Sequence, residues 1–192
     1  MNERLYKSLK WMAIMLTVAW IGWSFYDGFY AQRKPGDKAY FAGNNLFKDG
    51  YYERALREYE QALKKNPNHI YALRGKARSL LQLKRYQAAL AAFNQAITQV
   101  PDFATTYANL GILYDRMGLH EEALADYERA LQMDSQLADG PDWLTRFFRL
   151  QPEKPPTIAD RAQYLREQLA KPPSERLLRQ PELDDKQQPY QK

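Results

Sequence analysis

Few residue types able to do covalent or metal chemistry occur in this 192-residue chain, which has no cysteine and two histidines. His69 and His120 fall in expected turns, with no carboxylate at metal-binding spacing, so we expect both to be solvated loop residues. Gly43 and Gly50 follow no strand that could form a phosphate-binding loop. The sequence therefore predicts no catalytic site, no metal site and no cofactor, and we expect the chain not to be an enzyme.

The residues that must position any binding surface repeat every 34 positions, in the segments 36–69, 70–103 and 104–137. The eighth, twentieth and twenty-seventh positions are small in every copy, and the twenty-fourth is aromatic: Gly43, Ala55, Tyr59 and Ala62; Ala77, Ala89, Phe93 and Ala96; Gly111, Ala123, Tyr127 and Ala130. Small residues let two helices approach closely, and the aromatic ring fills the gap between them. Self-similarity at this period indicates stacked helix pairs, since one pair cannot bury its apolar face without its neighbours.

This pattern resembles the tetratricopeptide repeat (TPR) family over roughly half the chain. The resemblance implies an all-α, three-repeat helical solenoid. Its six helices are expected at residues 37–49, 53–66, 70–83, 87–99, 104–117 and 121–133. In one departure from the family pattern, Lys84 replaces the turn glycine found at Gly50 and Gly118, which should stiffen that turn.

A capping helix is expected at residues 141–150, completing a TPR domain over residues 36–150. Trp143, Leu144, Phe147 and Phe148 fall on one side of this segment at helical spacing. A solenoid needs an end helix over its last apolar face, so we interpret the segment as that cap, packed on repeat three. A partner-binding helix of the same composition is the alternative.

The resemblance also implies a concave groove lined by the first helix of each repeat, which we predict to bind a protein partner. Its predicted residues are Tyr40, Phe41, Asn44, Phe47, Lys48, Tyr71, Arg74, Arg78, Asn109 and Arg116. Arg74, Arg78 and Asn109 should converge near the middle, in partial similarity to the carboxylate clamp of chaperone-binding family members. The similarity is incomplete because Arg78 replaces an asparagine and Asp139 stands where a lysine is expected. We therefore expect a basic groove suited to an acidic or carboxylate-bearing peptide segment, although these arginines could equally be ordinary solvated residues.

Charge differs between neighbouring repeats. Repeat two carries five basic residues against one acidic residue, whereas repeat three carries two basic residues against six acidic ones. Surfaces of opposite sign orient a partner more than they strengthen its binding. The overall charge of +5 is too dispersed to indicate nucleic-acid binding, and no basic run is interleaved with stacking aromatics.

A transmembrane anchor is predicted at residues 11–30. Residues 11–26 contain no charge in a chain that is 27% charged. Sixteen helical residues span about 24 Å, short of a hydrocarbon core of about 30 Å, but flanking residues extend the span. Aromatic residues crowd its C-terminal end as at a membrane interface: Trp20, Trp23, Phe25, Tyr26, Phe29 and Tyr30. A cleaved signal peptide is the alternative, but no small-residue cleavage site follows the apolar run.

The flanking charges predict the orientation of the anchor. Arg4, Lys7 and Lys10 make residues 1–10 positive, so the tail is expected in the cytoplasm and the repeats in the periplasm of a bacterium. Basic residues at 33, 34 and 38 weaken this argument. The predicted location is therefore the inner membrane, with a single span.

Residues 151–192 are predicted to form a proline-rich, partly helical C-terminal arm. Thr157 and Asp160 indicate a capping box that opens a helix over residues 158–170. Apolar residues along the arm indicate that it docks either on its own domain or on another protein: Ile158, Tyr164, Leu165, Leu169, Leu177 and Leu178.

Taken as a sequence, the chain is predicted to be a membrane-anchored TPR scaffold or assembly factor for a multiprotein complex. Its partners would be proteins, including neighbouring membrane proteins. The alternative is a permanent accessory subunit of a membrane enzyme complex, packed against catalytic subunits. Co-purification in fixed stoichiometry after mild detergent extraction would distinguish the subunit from a transient assembly factor.

Overall fold

The computed structural model describes residues 3–27, 34–140, 142–148, 150, 152–180, 187 and 189–190. Helix α1 spans Glu3–Tyr26, and within it Tyr6–Tyr26 is long and apolar enough to cross a membrane, with a mean hydropathy of 1.2 and none of it buried. The length, composition and N-terminal position of this segment also fit a signal sequence. Residues 28–30, at the end of the predicted anchor, lie outside the described residues.

Three antiparallel helix pairs follow, and each predicted helix begins and ends within one residue of its expected bounds. They are α2 Asp37–Lys48 with α3 Tyr52–Lys65, α4 Ile70–Gln82 with α5 Tyr86–Gln99, and α6 Ala104–Met117 with α7 His120–Met133. Each helix packs on its partner within a pair, and α3 packs on α4 and α5 on α6 between pairs. The described part of the chain contains no strand. The predicted all-α, three-repeat solenoid is confirmed.

The repeating small and aromatic residues form the core, as their spacing predicts. The aromatic residues at the twenty-fourth position are fully buried, as are the alanines at positions twenty and twenty-seven. A Cβ added at Gly75 would lie 2.4 Å from the Tyr59 ring, and one added at Gly111 would lie 2.6 Å from the Tyr127 ring. The backbone of one helix therefore rests on an aromatic ring of another, and a larger residue has no room there.

The turns inside the three repeats share one backbone conformation. Gly50 and Gly118 have φ of 80°, and Lys84 at the equivalent place has φ of 58°. The glycine is therefore replaced without a change of turn. A side chain in the left-handed region costs roughly 1 kcal/mol relative to glycine, which the packing of repeat two must offset.

The helix that covers repeat three is not the predicted one. Helix α8, Trp143–Phe148, leaves Trp143 70% and Phe147 68% exposed, so these two predicted cap residues are not buried on repeat three. Helix α9, Ile158–Leu169, packs on α7 instead and buries Ile158 and Leu165 completely. Among the described residues, α9 covers repeat three in place of the predicted 141–150 segment, and its Arg161 pairs with Asp115 of that repeat.

The C-terminal arm wraps its own domain. As predicted, a capping box opens α9: the Thr157 hydroxyl accepts from the Asp160 amide at 3.2 Å, and the Asp160 carboxylate accepts from the Thr157 amide at 2.9 Å. The hydrogen bonds that the Asp160 carboxylate accepts from the Thr157 amide and hydroxyl lower the pKa of the Asp160 carboxyl. Beyond α9, the Leu177 amide donates to Gln168, and Leu178 packs on the core. On the concave side, Gln187 and Tyr190 accept hydrogen bonds from Arg116 and from Arg78, respectively.

Candidate functional site

The first helices of the three repeats, α2, α4 and α6, line one concave groove. A cavity of about 380 Å³ lies in it, bounded mainly by aromatic and basic side chains. Its lining includes five of the predicted groove residues and three that were not among them: Tyr40, Tyr71, Arg74, Arg78 and Asn109, with Phe93, Phe103 and Tyr190. The structure thus brings the predicted arginines and asparagine to one place.

Arg74 is buried without an anionic partner among the described residues. Its side chain is 7% exposed, and its guanidinium carbon lies 3.4 Å from the centroid of the Phe103 ring. Its Nε and Nη2 atoms have no hydrogen-bond acceptor in the described part of the chain. Burial lowers the pKa of Arg74 to about 10, so the group stays charged at neutral pH. Stacking on an aromatic face holds the guanidinium in place and leaves its donors open to a ligand.

Arg78 and Asn109 lie deeper, where they contact the chain's own C-terminal segment. Arg78 Nη1 donates to the Tyr190 carbonyl oxygen at 3.0 Å, and Asn109 Nδ2 donates to the same oxygen at 2.9 Å. Both side chains are at least 96% buried, since Arg78 is 4% exposed and Asn109 3%. Burial lowers the pKa of the Arg78 guanidinium, although the nearby Tyr59 hydroxyl opposes this. The middle of the groove is thus basic and partly filled.

The other predicted groove residues divide into exposed and engaged side chains. Phe41 and Tyr71 are about half exposed, and Lys48 is exposed at the groove edge. Phe47 is buried in the core, and Asn44 accepts a hydrogen bond from the Tyr59 hydroxyl at 2.8 Å. Phe47 therefore offers little contact area to a partner, contrary to its predicted role, because its ring packs on Tyr52.

Arg116 is held at the opposite end of the groove. Its Nη1 donates to Gln82 at 3.0 Å, and its Nη2 donates to the carbonyl oxygen of Gln187 at 3.1 Å.

The sequence did not predict that Gln187 and Tyr190 contribute to the groove, because the polar tail around them has no periodicity that would place it on the solenoid.

Neither histidine is a solvated loop residue, so that expectation was wrong. His69 is 7% exposed; its Nδ1 accepts from the Ala72 amide, and its Nε2 lies 3.0 Å from Asp37. His120 Nδ1 lies 3.0 Å from Asp115. His69 thus links the start of α4 to α2, and His120 links α7 to α6. Among the described residues, no group of three histidine, aspartate or glutamate side chains is placed to hold a metal ion.

A buried ion pair connects the groove wall to the cap. Arg161 of α9 donates to both carboxylate oxygens of Asp115, from Nε at 2.6 Å and from Nη2 at 2.8 Å. Arg161 Nη2 also donates to the Leu178 carbonyl oxygen. Two neighbouring residues, His120 and Tyr127, complete the surroundings of Asp115. This bidentate pair holds α9, and with it the C-terminal arm, on repeat three.

Family models described as tetratricopeptide repeat match residues 42–104 and 104–137, which together make up half of the chain. The chain belongs to the tetratricopeptide repeat family. Family membership supports a role in protein–protein interaction, since the similar proteins below carry names of organising or peptide-bound proteins.

Two curated TPR relatives illustrate the similarity. The Hsp70-Hsp90 organising protein of Plasmodium falciparum is 29% identical over 97 residues, covering 50% of this chain and 17% of that protein. Stress-induced-phosphoprotein 1 of Caenorhabditis elegans is 28% identical over 139 residues, covering 72% of this chain and 42% of that protein. The chain therefore spans less than half the length of these two relatives.

Solved TPR structures share the fold. The first TPR of Spaghetti (RPAP3), bound to the HSP90 peptide SRMEEVD, has a TM-score of 0.56 at 20% identity, covering 71% of this chain and 94% of that one. The second TPR of the same protein, bound to the same peptide, has a TM-score of 0.50 at 25% identity, covering 53% of this chain and 94% of that one.

Proposed function

We propose that this chain is a membrane-anchored TPR scaffold whose groove binds an acidic or carboxylate-bearing segment of a partner protein. Its role would be non-enzymatic: to hold or assemble a multiprotein complex at a bacterial inner membrane, with the repeats in the periplasm. The observation that carries the proposal is the buried Arg74 guanidinium, whose Nε and Nη2 have no acceptor among the described residues and which lines a cavity of about 380 Å³.

A buried cation without an anion is costly, and a ligand carboxylate would remove that cost. Unpaired buried donors carry their full desolvation penalty, whereas hydrogen bonds to a charged group contribute roughly 1.5–3 kcal/mol each. Tyr71, which is 52% exposed, and Tyr40 beside it provide apolar surface for the rest of a peptide. The peptide SRMEEVD bound to the second TPR of Spaghetti contains two glutamates and an aspartate, which is the ligand chemistry proposed here.

Binding of an acidic peptide should depend on Arg74. We expect the full-length chain in detergent to bind fluorescein-labelled SRMEEVD, and Arg74→Gln to weaken that binding tenfold or more, since charge-assisted hydrogen bonds are lost. Fluorescence anisotropy at increasing salt measures both effects, and affinity should fall with added salt.

The control is Arg57→Gln, which removes the same charge from an exposed position on α3. If both substitutions weakened peptide binding equally, the effect would come from the lost net charge and not from a contact made by Arg74. An unchanged affinity in a folded Arg74→Gln variant, checked by circular dichroism, would remove Arg74 from the binding site.

Helix α1 should hold the protein in the membrane. We expect full-length protein to stay in the pellet after alkaline carbonate washing. A charge near the middle of a span costs roughly 2.5–3.5 kcal/mol, so Leu16→Arg combined with Val18→Arg should shift protein to the supernatant. The matched control is Ala88→Arg with Ala91→Arg, at two exposed positions on α5 outside the anchor.

Two further readouts can contradict the anchor and its orientation. N-terminal sequencing that finds a mature chain beginning beyond the apolar segment would mean a cleaved signal rather than an anchor. Protease added outside spheroplasts should digest the repeats; full protection in intact spheroplasts, lost on lysis, would place them in the cytoplasm.

A further inference from the structure

The C-terminal half of the groove contains residues Gln187, Pro189 and Tyr190 of the same chain. We propose that this segment is a ligand held in cis, and that it shows which second kind of peptide the groove accepts. That peptide carries a tyrosine that is recognised through its main-chain amide and carbonyl and through its side-chain hydroxyl. The inference rests on the proposed role of the groove as the partner-binding surface. It adds that a segment of the chain itself competes with a partner for that surface.

The groove binds the main chain of Tyr190. The Tyr190 amide donates to Asn109 Oδ1 at 2.7 Å, while Asn109 Nδ2 donates back to the Tyr190 carbonyl oxygen at 2.9 Å. One side-chain amide thus satisfies both main-chain polar groups of one residue, as a neighbouring strand would. Arg78 adds a second donor to that carbonyl at 3.0 Å. Such contacts hold an extended peptide without depending on its side chains.

The groove also binds the hydroxyl of Tyr190, which favours tyrosine at this position. The Tyr190 hydroxyl accepts from the Ile158 amide at 3.3 Å and donates to the Leu137 carbonyl oxygen at 3.1 Å. Ile158 is the first residue of α9, where amides have no acceptor inside the helix. The hydroxyl therefore satisfies one amide of the cap helix and one carbonyl oxygen at the end of repeat three. Burial of this ring raises the pKa of the Tyr190 hydroxyl, so it remains a donor at neutral pH.

Gln187 supplies a third contact, toward the C-terminal end of the groove. Its carbonyl oxygen accepts from Arg116, and its side-chain Oε1 accepts from the Tyr127 hydroxyl at 3.4 Å. Gln187 is 6% exposed. The segment is therefore held at two residues, Gln187 and Tyr190, three positions apart in the chain.

The segment is also a ligand that an anion can displace. Arg78, a buried cation, contacts a neutral carbonyl oxygen of Tyr190, whereas a carboxylate would form a stronger charge-assisted bond. Arg74 lies in the same cavity with open donors. A partner that offers a carboxylate to both arginines has contacts that Tyr190 cannot make, so exchange between the cis segment and a partner follows from the geometry.

The test uses full-length protein and a labelled synthetic peptide of residues 183–192, LDDKQQPYQK. A segment held in cis has an effective concentration in the millimolar range, so wild-type protein should not bind the added peptide measurably. Tyr190→Ala weakens the cis contact and should allow binding in trans at least tenfold tighter than to wild type. The same peptide with alanine in place of tyrosine should not bind, and adding Asn109→Ala to Tyr190→Ala should abolish binding.

Tyr190→Phe, which keeps the ring and loses both hydroxyl bonds, should give an intermediate result and guards against misfolding of the alanine variant. Equal binding of the peptide to wild type and Tyr190→Ala, or none to either folded variant, overturns the inference. Competition with SRMEEVD separates the two proposals. If LDDKQQPYQK binds Tyr190→Ala but SRMEEVD binds no variant, the acidic-peptide function fails alone. If SRMEEVD binds through Arg74 with the same affinity in wild type and Tyr190→Ala, the cis ligand fails alone.

Discussion

Arg161→Ala is expected to lower the free energy of unfolding by about 3–5 kcal/mol, because it leaves the Asp115 carboxylate buried without its cation. The two side chains are 6% and 5% exposed, so the pair is shielded from water in the folded state. The substitution also removes the donor to the Leu178 carbonyl oxygen, which releases the arm beyond α9. Urea denaturation followed by circular dichroism at 222 nm measures the change.

Arg166→Ala is the matched control for this prediction. Arg166 lies on the same helix and pairs with Glu128 at 2.7 Å, but its side chain is 60% exposed. Exposed ion pairs contribute little, so the control should change stability by less than about 1 kcal/mol. Similar losses from both variants would mean that α9 is held by charge in general. No loss from Arg161→Ala would mean that the cap is held by its apolar contacts alone.

Ala89→Leu should cost roughly 1–3 kcal/mol of stability, since it forces three extra carbons into a contact that has no space. Ala89 is fully buried on α5, in the core shared with Phe93. Ala91→Leu, on the exposed side of the same helix, introduces the same group and should change stability by no more than about 0.5 kcal/mol.

Thermal unfolding followed by circular dichroism distinguishes the two positions. A lower midpoint for Ala89→Leu with an unchanged midpoint for Ala91→Leu is expected. Equal shifts would contradict the 34-residue register on which the helix pairs are aligned.

The solenoid could be predicted from the sequence because its constraints are local and repeated. Ala55, Ala89 and Ala123 must be small for one reason that recurs three times, and the helix bounds follow from the same register. Arg74, Arg78 and Asn109 could be placed together for that reason, since each lies on the first helix of a repeat and these helices stand side by side.

The cap and the filled half of the groove could not be predicted in this way. They depend on pairs that are distant in the chain, such as Asp115 with Arg161 and Asn109 with Tyr190, which no periodicity marks. Two amphipathic segments followed repeat three, and local pattern favoured 141–150 over 158–170. The second segment packs on repeat three because its Arg161 pairs with the buried Asp115 carboxylate and because Ile158 and Leu165 are fully buried.

The return of Tyr190 to repeat two changes how the domain should come apart. A repeat array with contacts between neighbours alone can fray from either end, because each unit is held only by the next. Here the hydrogen bond from Arg78 to Tyr190 joins positions 112 apart in the chain, and it crosses repeat three and the cap on the way. Closing so long a loop raises the contact order, which slows folding. Repeat two cannot unfold while Tyr190 remains bound to Arg78. We therefore expect repeats two and three and the C-terminal arm to unfold as one cooperative unit.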